Sequence, residues 1–235
     1  MLLVFDLDGT LIDSSLDIGI SINATLRHLN RPPLDQQTVN SYVGDGAGML
    51  VKRALGENAS GREAEEALQF FIDYYRQHAL EHTKFYPGIR EALDDLRSEG
   101  HRLAVLTNKP VRISQDIISA LGVSGYFFRV YGGNSFAEKK PHPIGIETLL
   151  SETAIARENS VMIGDSDVDV LTARNAAIKA CGVTWGLKPE SLRDPAPDFL
   201  VSDVHQLLDC LASVRSGRLQ AERSDATGDR DRIFG

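Results

Sequence analysis

Short apolar runs alternate with amphipathic stretches along most of the chain. Residues Leu2–Phe5 are apolar at every position, which is typical of a parallel strand buried on both faces. Further strand patterns at residues 103–106, 128–130 and 161–163 each follow a stretch with helical periodicity. This succession predicts βαβ units, and therefore a mostly parallel sheet with helices on both faces.

Between Ser14 and about Lys84 the pattern is helical and no strand is predicted. Two apolar stripes have helical spacing, one formed by Ile18, Ile22, Leu26 and Leu29 and the other by Leu68, Phe71, Ile72 and Tyr75. Ligands of open parallel sheets bind beyond the carboxyl ends of the strands. A helical insertion that leaves the first strand at that edge is therefore expected to cover the site as a lid.

These patterns predict an α/β fold with a Rossmann-like, mostly parallel sheet core and an inserted small, all-helical cap. The core is assigned to residues 1–13 and 86–213 and the cap to residues 14–85. The length of 235 residues suits one sizeable core with a small appended domain. Residues 214–235 are predicted to form a mobile tail, because the sequence from Leu219 onward is polar and lacks periodicity.

Composition narrows the possible classes of protein. Hydrophobic residues make up 42% of the chain and charged residues 25%, as in ordinary globular proteins. The net charge of -8 argues against nucleic-acid binding. Asp6 interrupts the first apolar run and no basic region precedes it, so neither a signal peptide nor a membrane span is predicted there. Cys181 and Cys210 are interpreted as free thiols, and a reducing cytoplasm is the expected location. Separately, we expect a monomer or homodimer that binds no membrane.

Acidic and polar residues follow the predicted strands. Asp6 and Asp8 come directly after the first strand, although such a pair can also serve only to form an Asx turn. Three further groups stand at strand ends or in later loops: Thr107-Asn108-Lys109, Lys139-Lys140-Pro141-His142-Pro143, and Gly164-Asp165-Ser166-Asp167-Val168-Asp169. Because carboxyl ends of parallel strands meet at one edge, the four groups are expected to form one site.

Together the four groups resemble, in order, the four motifs of the haloacid dehalogenase superfamily. The matching segments are Asp6-Leu7-Asp8-Gly9-Thr10-Leu11, Thr107-Asn108-Lys109, Lys140-Pro141 and Gly164-Asp165-Ser166 with Asp169. The resemblance extends to about Leu211, and the helical insertion is similar to the C1-type cap of that family. It implies an enzyme whose ligand is a small phosphorylated metabolite.

The resemblance also implies roles for the motif residues. Asp6 would be the nucleophile that forms an aspartyl phosphate, and Asp8 would act as general acid and then as general base. The family's dehalogenases lack the second aspartate, so Asp8 favours phosphoryl transfer. Thr107 and the amide of Asn108 would bind the phosphoryl oxygens, and Lys140 would neutralise charge. Lys139 is the alternative register, but the family's lysine directly precedes the proline.

A magnesium ion is the implied cofactor. Its ligands would be the carboxylates of Asp6 and Asp165 and the backbone carbonyl of Asp8, with Asp169 acting through water.

Several other polar residues have simpler interpretations. Lys109 and Asp167 are interpreted as solvated neighbours of the motifs. Asp13 and Asp17 are expected to cap or charge the first cap helix. His142, between two prolines, is interpreted as a loop residue rather than a catalytic one.

The glycine-rich cap segment 42–55 carries the candidate substrate residues Gly44, Gly46, Lys52 and Arg53. Its glycines permit close backbone approach and free amides at a helix start, although an ordinary loop has the same composition. The segment resembles the cap loop of bacterial phosphoglycolate phosphatases, as does the stretch 181–186. This likeness favours hydrolysis of 2-phosphoglycolate to glycolate and phosphate.

Several alternatives remain open. Relatives with the same motifs hydrolyse pyrophosphate, sugar phosphates or nucleotides. A phosphomutase of the β-phosphoglucomutase type would return the phosphoryl group to its substrate, and a phosphonoacetaldehyde hydrolase would need a cap lysine, for which Lys52 is the candidate. A non-enzymatic binding module is disfavoured because all four motifs are present.

Overall fold

The computed structural model describes residues 1–56 and 59–216 of the chain. Its strands are β1 (Leu2–Phe5), β2 (Ile12–Asp13), β3 (Lys84–Phe85), β4 (Arg102–Leu106), β5 (Phe127–Tyr131), β6 (Ser160–Gly164), β7 (Lys179–Val183) and β8 (Phe199–Val201). Its α-helices are α1 (Ser15–His28), α2 (Gln36–Tyr42), α3 (Ala47–Leu55), α4 (Gly61–His78), α5 (Ile89–Ser98), α6 (Val111–Ala120), α7 (Ile144–Thr153), α8 (Asp167–Asn175) and α9 (Val204–Ser216).

Six strands form a parallel sheet in the order β5-β4-β1-β6-β7-β8. The central strand β1 is buried on both faces, because Leu3 and Phe5 pack into one apolar cluster and Leu2 and Val4 into the other. Its uniformly apolar sequence is explained by this double burial. The predicted α/β fold with a mostly parallel, Rossmann-like sheet is confirmed.

Strands β7 and β8 were not predicted from the sequence. The strand signal of β7 is weakened by Gly182, which the fold requires because a Cβ there would crowd Pro197 and Leu192. Strand β8 has only three residues and an exposed Leu200 at its centre. Both strands therefore form because of their contacts with the rest of the sheet and not because of a local sequence pattern.

Helices α1 to α4 form the predicted helical insertion. The two apolar stripes are parts of α1 and α4, which pack against each other, and α3 packs on α4. The segment is not wholly free of strand, since β2 and β3 pair as a short antiparallel ribbon where the chain leaves and re-enters the core. Two residues per strand are too few to give an alternating pattern.

Asp17 lies in the first turn of α1, where it is expected to charge the helix, but it has a second task that was not predicted. Its carboxylate is buried and accepts hydrogen bonds from the backbone N–H of His82 (3.0 Å) and of Thr83 (2.8 Å) and from the Thr83 hydroxyl (2.8 Å). Desolvation opposes ionisation, but these hydrogen bonds outweigh it and lower the pKa of Asp17. Asp17 thus ties α1 to the segment that follows α4.

The predicted tail boundary at residue 214 is wrong, because Val214 is buried and α9 continues to Ser216. The remainder of that tail, residues 217–235, lies outside the described residues. Among the helices of the described residues, none has both the length and the apolar character that a bilayer crossing requires.

Asp17→Asn is expected to lower the free energy of unfolding at pH 7 by about 2 kcal/mol, because hydrogen bonds to a buried charged group are lost. Since the folded pKa is lowered, the stabilisation is present above the ordinary aspartate range and is lost as pH falls toward the folded pKa. Urea unfolding at pH 7 and at acidic pH should therefore show a difference that shrinks with acid. Asp116→Asn on the exposed face of α6 is the control, and an equal effect of both variants would contradict the assignment.

Candidate active site

The site lies at the carboxyl ends of β1, β4 and β6, where the helical insertion faces the sheet. A cavity of about 680 Å³, including its mouth, lies between the insertion and this edge of the sheet. Core side chains from three of the four motifs line it: Asp6, Asp8, Thr107, Asn108 and Asp165. Parallel pairing of β1 with β4 and β6 brings these distant segments together.

A buried cluster of three carboxylates forms the floor of the site. Asp6, Asp165 and Asp169 each place one oxygen within 4.8 Å of the others. Lys140 is the cation among them, with Nζ 3.0 Å from Asp6 Oδ1 and 2.6 Å from Asp169 Oδ1. The structure therefore places Lys140 between Asp6 and Asp169, whereas Nζ of the exposed Lys139 donates to the carbonyl of Asp45 at 2.5 Å.

The cluster holds more negative than positive charge away from water. Desolvation raises the pKa of Asp6 to about 6, against the effect of Lys140, and desolvation together with Asp169 raises the pKa of Asp165 to about 8. The pKa of Lys140 is also raised, because the charges of Asp169 and Asp6 outweigh desolvation. Within the described residues Asp6 Oδ1 has only the ion pair with Lys140 and no well-aligned hydrogen bond. A divalent cation fits this all-oxygen, electron-rich site.

The Asp165 carboxylate is held by its surroundings. It accepts a hydrogen bond from the backbone N–H of Leu187 at 2.7 Å. Gly9 approaches it so closely that a Cβ at that position would overlap the carboxylate, and Gly9 also has a positive φ of 83°. The Asp-x-Asp-Gly turn therefore places its own backbone against the Asp165 carboxylate.

Asp169 has a structural task besides its place in the cluster. Its Oδ2 accepts from the hydroxyl (2.7 Å) and the backbone N–H (3.2 Å) of Ser166, closing a capping box at the start of α8. Its other oxygen contacts Lys140. The role of Asp169 in ordering metal-bound water stays a prediction.

Asp8 contacts Lys109, which corrects the interpretation of that lysine as a solvated neighbour. Lys109 is buried, and its Nζ donates to both Asp8 oxygens, at 2.8 and 3.0 Å. The Ser14 hydroxyl donates to Asp8 Oδ1 at 2.5 Å. A third hydrogen bond joins Lys109 Nζ to the hydroxyl of Tyr75 on α4. The spacing of motif two, with a lysine directly after Thr107-Asn108, was the only sequence signal for this contact.

The side chain of Asn108 connects the core to the insertion. Its Nδ2 donates to the carbonyl of Gly44 at 2.9 Å and to that of Lys140 at 3.0 Å. Lys188 donates to the carbonyl of Val43 at 3.1 Å. Together with Lys139, these core side chains bind three consecutive carbonyls, those of residues 43–45. The glycine-rich loop is therefore held against the core through its backbone.

The predicted cap residues divide into two groups. Gly44 and Gly46 line the cavity, whereas Lys52 is exposed and does not line it. Arg53 is bound to the loop itself, with Nη2 2.6 Å from Asp45 Oδ2 and Nη1 3.1 Å from the carbonyl of Tyr42. Neither of these two candidate substrate residues lines the cavity, because Lys52 is exposed and Arg53 is paired within the loop.

Sequence reasoning missed the lining that the insertion provides and one cation. Apart from its two glycines, the insertion contributes mainly apolar side chains and one tyrosine: Ile18, Val43, Ala47, Leu50, Phe71, Ile72 and Tyr75. The missed cation is Lys188, in the loop after β7. The apolar stripes of α1 and α4 indicated burial, but no sequence signal separated residues facing a cavity from those facing a core.

The sequence profile of the family described as haloacid dehalogenase-like hydrolase matches residues 3–183. The chain belongs to this hydrolase family. Among its relatives, a protein of Colwellia psychrerythraea named phosphoglycolate phosphatase is 37% identical over 88% of this chain and 94% of its own length. A protein of Chromobacterium violaceum with the same name is 36% identical over 88% and 94%. The resemblance inferred from the four motifs is confirmed.

Solved structures agree with this membership. The crystal structure described as that of a predicted phosphoglycolate phosphatase from Haemophilus somnus superimposes with a TM-score of 0.84, at 31% identity over 89% of this chain and 96% of that one. A haloacid dehalogenase-like family hydrolase from Streptococcus pneumoniae has a TM-score of 0.79, at 28% identity over 88% and 96%. The chain therefore shares the overall fold of these hydrolases along most of its length.

Trp185, the single tryptophan, provides a test of the cation site. Its Nε1 donates to the carbonyl of Thr10 at 3.1 Å, and a Cβ on the adjacent Gly186 would overlap the Asp165 side chain. Titration with a divalent cation is therefore expected to change the tryptophan emission. Asp165→Asn should weaken the fitted affinity at least about tenfold, whereas Asp116→Asn should leave it unchanged. Equal affinities in both variants would place the cation elsewhere.

Proposed function

We propose that this chain is a magnesium-dependent phosphomonoester hydrolase in which Asp6 attacks phosphorus and forms an aspartyl phosphate. The observation that carries the proposal is the buried Asp6 carboxylate, whose Oδ1 has Lys140 Nζ 3.0 Å away and no other polar partner among the described residues. A carboxylate nucleophile must approach an anionic ester, so its surroundings must cancel charge repulsion. Lys140 supplies part of that compensation from within the cluster.

Magnesium, when bound by Asp6, Asp165 and the backbone carbonyl of Asp8, would supply the remaining positive charge opposite the phosphoryl oxygens. The acid cluster supports this assignment, because desolvation and the neighbouring carboxylates raise the pKa values of Asp6 and Asp165 despite the presence of Lys140. Thr107 and the amide of Asn108, both at the cavity wall, would hold the phosphoryl oxygens. Lys140 would stay paired with Asp6 and Asp169 throughout.

Asp8 would move the proton. In the first step the Asp6–phosphorus bond forms as the ester bond breaks, and Asp8 gives its proton to the leaving oxygen. In the second step Asp8 takes a proton from the water that attacks the aspartyl phosphate and regenerates Asp6. Asp8 suits this role because it lines the cavity beside Asp6 rather than joining the acid cluster.

The proposed substrate is 2-phosphoglycolate, a small carboxylated ester. Relatives that bear the name phosphoglycolate phosphatase support it, as does the glycine-rich loop that lies over the cavity. Lys188 supports it further, because this lysine places a cation at the wall of the cavity, beside the carbonyl of Val43. The alternatives are another small phosphate ester and a phosphomutase reaction. A cytoplasmic location and a monomeric or homodimeric state stay predictions.

Asp6→Asn is expected to reduce metal-dependent phosphate release from p-nitrophenyl phosphate by more than about a thousandfold, because it removes the nucleophile. Residual activity should be unaffected by added Mg²⁺. The matched control is Asp116→Asn, an exposed carboxylate outside the cavity. Survival of metal-dependent turnover in Asp6→Asn would show that the nucleophile is assigned wrongly.

Substrate preference is expected to distinguish 2-phosphoglycolate hydrolysis from hydrolysis of other phosphate esters and from a phosphomutase reaction. The purified protein should be assayed with 2-phosphoglycolate, pyrophosphate, sugar phosphates, nucleotides and β-glucose 1-phosphate, with kcat/KM measured for each. We expect 2-phosphoglycolate to have the highest value and to release phosphate rather than an isomerised ester. A higher kcat/KM for another ester would show that 2-phosphoglycolate is not the preferred substrate. An isomerised product would show that the protein is a mutase and not a phosphatase.

A further inference from the structure

The cavity contains an ion pair that the proposed chemistry does not assign. Lys109 follows β4, and its side chain is 4% exposed, yet it touches neither Asp6 nor the acid cluster. Its Nζ makes three hydrogen bonds, two to Asp8 and one to the hydroxyl of Tyr75 at 2.6 Å. The same Nζ lies 4.5 Å from the centre of the Tyr75 ring. The contacts of this lysine thus join the proposed acid to α4.

We propose that Lys109 is a positioning residue for Asp8 and that Tyr75 sets the position of Lys109 from the helical insertion. The inference rests on the proposed function, because it assumes that Asp8 transfers the proton. The insertion would then contribute to proton transfer through one side chain, in addition to covering the cavity.

The geometry of Asp8 supports this role. Its other side-chain hydrogen bond in the described part of the chain comes from Ser14, which contacts Oδ1. Lys109 spans both oxygens, so it is the contact that restrains rotation of the carboxylate. A proton donor must lie within hydrogen-bond reach of the leaving oxygen, and misplacement by a fraction of an ångström reduces the rate.

Tyr75 is positioned well enough to act on Lys109. It lies on α4, is 2% exposed and stacks on Phe71 with ring centroids 5.5 Å apart. Burial raises the pKa of Tyr75 to about 12, so its hydroxyl stays neutral and can accept the hydrogen bond from the ammonium. A displacement of α4 from the core would remove this contact and leave the ammonium with Asp8 alone.

Leaving-group dependence distinguishes positioning of an acid from other roles. An alkyl ester needs proton donation to its poor leaving group, whereas p-nitrophenyl phosphate scarcely needs it. Lys109→Met keeps the aliphatic stem and removes the ammonium. We expect kcat/KM to fall by about tenfold or more for alkyl phosphates but by about threefold or less for p-nitrophenyl phosphate, as general acid catalysis contributes up to 10²–10⁴. An equal fall for both classes would overturn the proposal.

Substrate binding by Lys109 is the main competing role. Comparison of 2-phosphoglycolate with 2-hydroxyethyl phosphate tests it, because both are alkyl esters and only the first carries a carboxylate. Positioning of Asp8 predicts a similar fall in kcat/KM for the two. A fall confined to 2-phosphoglycolate would show that Lys109 binds the carboxylate, and would reject the positioning role.

Tyr75→Phe is the milder variant, since it keeps the ring and removes only the hydroxyl. We expect the same selective loss on alkyl esters, smaller than in Lys109→Met, and no further loss when it is added to Lys109→Met. Additive losses would mean that Tyr75 acts independently of Lys109, which contradicts the second half of the proposal. Circular dichroism and the unfolding midpoint should confirm that both variants fold.

Lys139→Met provides the matched control. Lys139 also connects core and insertion, through the carbonyl of Asp45, but it does not touch Asp8. Its loss should affect alkyl and aryl esters by the same factor, and a selective effect on alkyl esters would argue against a specific role for Lys109. Different results would reject the proposed function and the positioning role of Lys109. Retained activity in Asp6→Asn rejects the proposed function, whereas an inactive Asp6→Asn with an unselective Lys109→Met rejects only the positioning role.

Discussion

Burial of excess negative charge is the constraint on which the site depends. Asp6, Asp165 and Asp169 are all more than nine-tenths buried, and the one ammonium among them, that of Lys140, is paired with Asp6 and Asp169. Bringing ionised carboxylates together out of water is costly unless cations and hydrogen-bond donors compensate. The structure supplies the Leu187 amide and the Ser166 donors, and the negative charge left uncompensated is the property that would attract a divalent cation.

The buried carboxylates also restrict which residues can occupy the surrounding backbone. Gly9, Gly164 and Gly186 all stand where a Cβ would overlap Asp165 or Asp169. Three separate segments therefore pack their main chain directly on two carboxylates. The same loops form the carboxyl ends of β1 and β6 and the turn after β7, so the architecture of the sheet edge and the electrostatics of the site are inseparable.

The loop after β4 couples the core to the insertion. Thr107 lines the cavity, Asn108 donates to the carbonyl of Gly44, and Lys109 joins Asp8 to Tyr75. Three consecutive residues thus have three different tasks, two of which depend on where the insertion lies. Any movement of the insertion must break contacts that also define the cavity wall, so its position and the geometry of the site change together.

Local patterns were sufficient for four strands of the sheet, β1, β4, β5 and β6, and for the order of the motifs. A buried parallel strand has an unbroken apolar run, as β1 does, and a chemical motif keeps its spacing at the strand end. Patterns failed where a residue depends on distant partners. The pairing of Lys109 with Asp8 joins residues 101 positions apart, and Asp17 is buried by donors 65 and 66 positions away. Likewise, the sequence made Arg53 a candidate substrate residue, whereas its ion pair with Asp45 is evident only from the fold.

The lining of the cavity bears on the choice of substrate. The insertion contributes apolar side chains and backbone, and its own cations Lys52 and Arg53 lie outside or are paired. A carboxylate in this cavity must therefore find its charge partner on the core, where Lys188 is the lysine that lines the cavity without contacting Asp8. If the proposed substrate is correct, selectivity for its carboxylate would depend on the loop after β7 as well as on the insertion. The apolar wall would exclude water from the phosphoryl group and disfavour strongly hydrated sugars, because their hydroxyls would lose solvent without gaining partners.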